Sequence, residues 1–421
     1  MKRIVLFFAF LLLGFGLKAQ NDECMVNYSI YKEFVNVESY SNAVNTYRKI
    51  FQDCPKFNKI IYIDGVKIYK GLIAKTNDNN LINAYVDTIK LIYNQRIENY
   101  GEKPQCLSRR AFDVMKLRKS DTAYMEAFSL FDSSVKQFEG HADLGTLTAY
   151  FQLAVTLSTQ KKLSNEKLFS VIVPQLLIIK QNNEKEKEEK LVAYLNKNLS
   201  KVSGYKETFD KLFVENYSVN SDIPFIVNLS SVMSDLDCIG NQLYAQCAEK
   251  LYNDNPSALS AVLIARYCKK NKEYDKAAEY YSKAVDLEED VNKKSLYLYE
   301  SALVANYQKK YSLAISFAKK SLELNSKNAN AYLLIGAVYG SNASLFGSDD
   351  FSRRQIYWVA ADYVEKAKKT DISLKEQADE LLKKYSALFP NKEDAFMHSV
   401  KSGDVVKITA FGTETTTARF L

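Results

Sequence analysis

Few residues of this chain have the types and spacing that acid–base or metal chemistry needs. The 421-residue sequence contains only two histidines, His141 in EGHADLG and His398 in AFMHSV. A histidine general base or a zinc site requires further ligating or titratable partners at short spacing. Neither histidine has such partners, and no phosphate loop, nucleophile elbow or HExxH pattern occurs. We therefore predict a protein that is not an enzyme and that needs no cofactor and no metal.

An acidic pair and a charge run are the next candidates for chemistry. Asp349 and Asp350 lie in GSNASLFGSDDFSRR (340 to 354) and could hold a cation. They lack the alternating carboxylates of a calcium loop, so we predict an exposed loop instead. The run EKEKEEK (184 to 190) mixes charges of both signs. This mixture favours a solvated helix face or linker laced with ion pairs over an interaction patch.

The N-terminal sequence indicates the compartment in which the protein works. Two basic residues are followed by an uncharged apolar stretch, residues 4 to 17, and by LKA before Gln20. This order is typical of a secretory signal peptide, here residues 1 to 19, and the stretch is shorter than the roughly 20 residues of a membrane span. The first cysteine, Cys24, follows the polar run QNDE, which argues against lipidation. We expect an exported mature chain that begins at Gln20 and does not span a membrane.

Charge and composition narrow the class of protein further. Removing residues 1 to 19 leaves 54 basic residues against 50 acidic ones and lowers the net charge from +7 to +4. This balance argues against nucleic acid or a strongly anionic surface as the partner. Glycine and proline are sparse, at 14 and 6 residues, whereas Lys, Tyr, Leu and Ala are abundant. Such a composition favours long helices with few special turns, and internal repeats are the first pattern to test.

One helical pattern occurs three times. Each copy begins Tyr-x-x-Ala and continues with apolar residues at spacings of three and four, which places them on one helical face. The copies are SYSNAVNTYRKIFQDCP (39 to 55), EYDKAAEYYSKAVDL (273 to 287) and KYSLAISFAKKSLELNS (310 to 326). A first helix of a pair is predicted in NAYLLIGAVYG (330 to 340), where Gly336 costs about 1 kcal/mol relative to alanine. That cost is tolerable if a neighbouring helix presses against the glycine.

The pattern resembles the tetratricopeptide repeat, a helix-turn-helix unit of about 34 residues. The matching positions are Ala43, Ala277 and Ala314 in second helices, Tyr332, Ile335, Gly336 and Tyr339 in a first helix, and Pro55 and Pro256 at unit ends. The order of signal peptide, early cysteine and Thr-rich tail is similar to exported repeat proteins of Gram-negative bacteria. The resemblance implies an all-α, right-handed superhelical solenoid of helix-turn-helix pairs.

The repeat signal divides the chain into segments. After the signal peptide we expect N-terminal repeat-like units at 20 to 105, degenerate helical repeats at 106 to 250, C-terminal units at 251 to 390 with an insertion at 340 to 357, and a tail at 391 to 421. Residues 149 to 157 and 164 to 180 form a predicted degenerate pair, in which Pro174 should kink or break its helix. The Thr-rich tail alternates around Gly412, which predicts a small β-hairpin that caps the last helix.

Six cysteines are present without a CxxC motif, so disulfides rather than redox or metal roles are the default in an exported protein. In the first repeat-like unit, Cys24 lies at the start of the first helix and Cys54 at the end of the second. Because these ends are neighbours in an antiparallel pair, we predict that the two are bonded. Cys238 and Cys268 are symmetric about a turn at residue 253 and could also pair, with buried thiols as the alternative.

The resemblance also implies where a partner would bind. In this architecture the first helix of each pair lines a concave face, and units starting at 258, 295 and 329 set the register. Basic groups beside Tyr rings suit an extended segment with a carboxylate, which Arg266 would bind in a bidentate manner. The residues expected on the concave face are Val262, Arg266, Lys269, Lys270, Tyr299, Asn306, Tyr307 and Leu333.

These observations together predict a non-catalytic scaffold that binds a protein or peptide partner in the periplasm or cell envelope of a Gram-negative bacterium. Two other classes stay open. A glycan-binding envelope protein could use the same repeat, although such proteins typically carry several exposed Trp residues and this chain has one, Trp358. An enzyme would need a catalytic set that the known motifs do not reveal.

Overall fold

The computed structural model describes residues 22 to 219 and 222 to 421, which are mostly helical. The predicted signal peptide lies outside the described residues. Helix α1 covers 22 to 36. The helices that follow are α2 Tyr40–Asp53, α3 Ile60–Ile73, α4 Asn79–Tyr100, α5 Lys103–Arg118, α6 Asp121–Gln137, α7 Leu144–Thr159, α8 Asn165–Gln181, α9 Lys185–Asn198, α10 Tyr205–Asn216, α11 Ile223–Asp235, α12 Gln242–Asp254, α13 Ala258–Lys270, α14 Tyr274–Leu287, α15 Val291–Tyr307, α16 Tyr311–Leu324, α17 Ala329–Ser341, α18 Asp350–Thr370, α19 Lys375–Ser386 and α20 Lys392–Met397.

Shorter elements complete the chain. Turns of 3-10 helix lie at Leu199–Lys201, Ala343–Leu345 and Ile372–Leu374. Two strands follow the last helix, β1 Val405–Thr409 and β2 Thr413–Thr417, and they pair antiparallel with Val405 opposite Thr417. None of the described helices is both long enough and apolar enough to span a bilayer.

Consecutive helices pack as pairs, which confirms the predicted all-α fold of helix-turn-helix units with a hairpin tail. Helix α5 packs on α6, α13 on α14, α15 on α16 and α17 on α18, and the second helix of each pair also packs on the next helix along the chain. All three Tyr-x-x-Ala stretches are second helices, and α2, α14 and α16 each begin at the tyrosine. The contacts are therefore mostly local in sequence, as in repeat proteins.

Small residues let the paired helices approach each other closely. Ala277 and Ala314 are fully buried. A Cβ added at Gly336 on α17 would lie 2.8 Å from Cγ2 of Val364 and 2.9 Å from the carbonyl oxygen of Ala360, both on α18. The expected close approach at Gly336 is thus confirmed, and this packing offsets the cost of a glycine within a helix.

The turn inside several pairs has a recurring backbone conformation. A residue with positive φ lies two positions before the second helix at Glu38 (56°), Lys272 (64°) and Lys309 (61°). This left-handed conformation costs an L-residue about 1 kcal/mol or more. The turns carry no recognisable sequence signal, because none of the three positions is the Gly or Asn that usually adopts it.

Helix α8 continues through Pro174, so of the expected kink or break the break is wrong, and the kink stays a prediction. The proline removes one backbone donor. The helix persists because its apolar face is buried on both sides of the proline, at Ile172, Val173 and Leu176 among others. Tertiary packing here outweighs a local preference.

The first predicted disulfide is present and the second is not. Cys24 and Cys54 are bonded, with Cα atoms 6.0 Å apart, and the bond joins the start of α1 to the end of α2. Cys268 keeps its thiol, so the pairing with Cys238 is wrong. Cys268 instead packs in the core of its own pair with Ala277, among other residues.

The chain forms two compact units that divide between Phe209 and Asp210, within α10. The largest fully buried side chains of both cores are aromatic. In the first unit the buried rings of Tyr31 and Tyr47 have centroids 5.7 Å apart. In the second unit the largest fully buried side chain is Trp358. The segment boundaries expected from the repeat signal stay predictions.

Candidate functional site

Arg266, the expected carboxylate ligand of the second unit, already binds a carboxylate within the chain. Its Nε on α13 donates to both oxygens of Glu300 on α15, at 3.2 and 3.0 Å. Burial acts to lower the pKa of Arg266, but the charge of Glu300, its hydrogen bond and nearby tyrosines together outweigh burial, and the pKa is raised overall. Arg266 therefore links two consecutive helix pairs of the second compact unit. A ligand would have to displace Glu300 to reach it.

The two lysines beside Arg266 are also engaged. The Nζ of Lys270 lies 3.3 Å from the carboxylate of Asp237, which is in the turn between α11 and α12. Lys269 has its Nζ 5.7 Å from the ring centroid of Tyr281. Burial lowers the pKa of Lys269, because a low-dielectric environment disfavours the charged form. Lys269 thus contacts its own helix pair and Lys270 the preceding one, so the two lysines do not form an open basic patch.

The tyrosines expected beside these cations are more accessible. Tyr307 is 55% exposed and stacks on Tyr274, with ring centroids 5.3 Å apart and planes 15° apart. Tyr299 and Asn306 are half-buried on the same helix. These three residues can be reached by a ligand, and their role in binding stays a prediction.

Val262 and Leu333 are buried, which corrects their expected place on the concave face. Val262 is 1% exposed and lies in the core between α13 and α14, and Leu333 is 8% exposed. Helix α17 is buried on nearly all sides, so its residues have little open surface. Neither side chain is available to a ligand.

A concave cleft in the first unit combines free cations with apolar surface. It has a volume of about 520 Å³ and lies between α3 and α5. We call it the α3–α5 cleft. The residues that define it include Ile63, Val66, Lys67, Lys70, Arg96 and Arg109.

Two ion pairs hold the walls of the α3–α5 cleft in place. Lys70 on α3 pairs with Asp113 on α5 at 2.5 Å, and Asp113 is largely buried. Arg96 on α4 is also buried, and it pairs with Glu102 at 2.5 Å. Hydrogen bonds from Lys59 and from Arg96 lower the pKa of Glu102. The walls are therefore fixed before any ligand binds.

Lys67 and Arg109 are the open cations of the cleft. Both are exposed, and neither forms an ion pair with any residue that the structure describes. Ile63, which is 48% exposed, lies one helical turn from Lys67 on the same face of α3. The cleft thus offers two free positive charges beside apolar surface, which suits an extended segment that carries carboxylates.

This cleft was not among the residues expected from the sequence. Helix α3 lacks most of the repeat signature, so no register could be assigned to it. The available signal is the stripe of Ile63, Val66, Lys67 and Lys70, whose spacing of three and four places all four on one face of a helix.

Three of the residues considered for metal or acid–base chemistry, His398, Asp349 and Asp350, have structural roles. His398 stacks on Phe351 with ring centroids 4.2 Å apart. Asp349 caps the first turn of α18, and Asp350 pairs with Arg354 at 2.6 Å. Among the described residues, no group of three or more His, Cys, Asp or Glu side chains could hold a metal ion.

The features that would favour a glycan ligand or an open charged patch are also accounted for. Trp358 is fully buried, and its Nε1 donates to the carbonyl oxygen of Arg419 at 2.5 Å, so it offers no surface for a sugar ring. The charge run at 184 to 190 lies mainly on α9, where Lys190 pairs with Glu186 at 2.5 Å.

Comparison with known proteins gives no family assignment, since no family model and no curated protein matches the chain. Among solved structures, the TPR2AB domain of yeast Sti1 in complex with pHSP90 is 12% identical and has a TM-score of 0.26, covering 76% of this chain and 98% of that chain. The TPR domain of P58(IPK) is 12% identical with a TM-score of 0.25, covering 87% of this chain and 98% of that chain.

Proposed function

We propose that this chain is an exported, non-catalytic scaffold that binds an extended, carboxylate-bearing segment of a protein partner in the cell envelope of a Gram-negative bacterium. The α3–α5 cleft is the observation that carries the proposal. Its walls are held by ion pairs within the chain, whereas Lys67 and Arg109 keep their charges open. Paired charges position a surface, and open charges of one sign select a partner of the other sign.

Two features support the exported location. One is the basic and apolar N-terminal sequence that ends in LKA before Gln20. The other is the bond between Cys24 and Cys54, because disulfides persist in oxidising compartments. The intact mass of protein exported by a Gram-negative host tests the location. It should correspond to a chain that begins at Gln20 without acyl mass, and retention of residues 1 to 19 would contradict the proposal.

The binding proposal is tested by reversing the open charges. In envelope extract, the mature wild-type protein should capture a partner that can be cross-linked to it. The double variant Lys67→Glu and Arg109→Glu should no longer capture that partner, because two attractive contacts become repulsive. The matched control is Lys49→Glu with Lys56→Glu, which changes the net charge equally at exposed positions outside the cleft.

Both double variants should keep the helical circular dichroism of the wild type. Binding should also weaken with salt, since exposed charge pairs are screened. Equal capture by the cleft variant and the wild type would place the interaction elsewhere and refute the role of the cleft.

A further inference from the structure

The C-terminal hairpin lies in a groove formed by α16, α17 and α18. Glu414 of β2 accepts hydrogen bonds from Lys319 on α16 at 2.6 Å, Tyr339 on α17 at 2.9 Å and Tyr363 on α18 at 3.0 Å. The ring of Phe411 packs against that of Tyr339, with centroids 5.6 Å apart. Helices α16, α17 and α18 thus bind an extended segment together. They contact one aromatic and one acidic side chain of that segment, Phe411 and Glu414.

Each of the three residues that donate to Glu414 has an equivalent in the preceding repeat unit. Lys319 lies five residues after Ala314, the small residue of α16, and Ser282 lies five residues after Ala277, the small residue of α14. A count of three residues from Gly336 and from Ala302 makes Ala305 the equivalent of Tyr339. A count of three from Ala360 and from Ala314 makes Phe317 the equivalent of Tyr363.

These three equivalents line a second groove, which lies between α14 and α16 and over α15. It has a volume of about 570 Å³, and we call it the α14–α16 groove. Its lining is largely apolar and includes Leu298 and Leu313, and Leu313 is 42% exposed. The groove is therefore the counterpart, one unit earlier, of the surface that the hairpin covers.

The α14–α16 groove differs from the groove of the hairpin in ways that determine its ligand. Ala305 stands where Tyr339 stands in the later groove, which leaves room for a bulky side chain. Ser282 occupies the position equivalent to that of Lys319. A positive charge for a ligand must therefore come from other residues of the groove. Three lysines and two acidic residues line the groove and leave one net positive charge: Lys294, Lys310, Lys320, Asp286 and Glu323.

We propose that the α14–α16 groove binds an extended or hairpin segment of a partner protein, which inserts an aromatic side chain beside Ala305 and places a carboxylate near the lysines. The chain's own hairpin shows that a groove of this construction holds such a segment. The excess of lysines over acids favours an acidic ligand. This site lies in the second unit and does not depend on the α3–α5 cleft.

The test uses a labelled synthetic peptide of residues 403 to 421 as the probe, added to the full mature protein with its own tail in place. Binding should be saturable by fluorescence anisotropy, and Leu313→Glu in the protein should weaken it at least tenfold. A Phe411→Ala peptide should lose comparable affinity. The matched control is Leu259→Glu, since Leu259 is 43% exposed on α13 and does not line the groove.

Several results would overturn the proposal. One is the absence of saturable binding at millimolar peptide. Another is binding that Leu313→Glu leaves unchanged, which would mean that the peptide exchanges with the hairpin in its own groove. A wild-type dimer that Leu313→Glu dissociates would assign the groove to a second copy of the chain. Circular dichroism of each variant verifies that the helices remain folded.

Discussion

Ion pairs between consecutive units are the characteristic contact at the scale of single residues. In the first compact unit, Lys32 donates to Asp64, which lies 32 residues later in the sequence. In the second compact unit, Arg266 donates to Glu300, which lies 34 residues later. Both separations are close to the length of one repeat. Because a partly buried charge is costly without its partner, such pairs favour the arrangement in which these helix faces meet.

Glu102 gives a prediction about pH. Hydrogen bonds from Lys59 and Arg96 stabilise its carboxylate and lower its pKa from the ordinary 4.5. A group whose pKa is lower in the folded state adds stability above its unfolded pKa and loses that stability as the pH falls through the folded pKa. Glu102→Gln should therefore lower the free energy of unfolding by about 2 kcal/mol at neutral pH, since it leaves the buried Arg96 without its anion.

The difference should shrink between neutral pH and an acidic pH below the lowered pKa of Glu102, where the wild-type carboxyl is also protonated. Urea unfolding followed by circular dichroism at the two pH values measures it. Glu98→Gln is the control, because Glu98 is exposed and pairs with no cation in the described part of the chain. A pH-independent difference between wild type and Glu102→Gln would contradict the assignment.

At the scale of elements, the hairpin depends on the helices that hold it. An isolated two-stranded hairpin is marginally stable at best in water. Here Glu414 contacts three helices, and Arg419 pairs with Asp362 at 2.7 Å. Burial and the nearby charge of Glu414 raise the pKa values of Tyr339 and Tyr363, so both hydroxyls stay protonated and can donate.

Replacing Glu414 with glutamine should release the hairpin. A neutral amide oxygen cannot neutralise Lys319 and accepts weaker hydrogen bonds from the two tyrosines, so we expect a loss of about 2 kcal/mol. Limited proteolysis should then cut the tail of Glu414→Gln before the helices. Glu376→Gln, on the exposed face of α19, should leave the tail protected. An equally protected tail in both variants would show that Glu414 does not anchor the hairpin.

Features that depend on local sequence could be predicted, and features that depend on distant contacts could not. The tyrosine starts of α14 and α16 and the close packing at Gly336 follow from patterns within one unit. The place of the hairpin required a contact between Lys319 and Glu414, which are 95 residues apart. Likewise, the sequence predicts that Arg266 is open to a ligand. In the structure it is paired with Glu300 of the next repeat unit, an acid that no local pattern reveals.

At the scale of the whole molecule, most helix contacts run between neighbours along the chain. Stability in such an arrangement is approximately a sum of unit and interface contributions, and a terminal unit has only one neighbour. The bond between Cys24 and Cys54 closes a loop with a sequence separation of 30 at the first described pair. It therefore ties the two helices of that pair, α1 and α2, directly to each other.

Removing that bond should loosen one end of the molecule and leave the rest unchanged. The loop-closure model assigns a disulfide of this span about 3.6 kcal/mol. In Cys24→Ala with Cys54→Ala we expect faster amide hydrogen exchange in α1 and α2, and exchange in α15 to α18 equal to that of the wild type, because contacts reach mainly the next helix. Wild-type protein treated with a reducing agent should reproduce the pattern. Exchange that rises equally in both regions would show cooperative unfolding of the whole chain, and the local character of its contacts would not determine its stability.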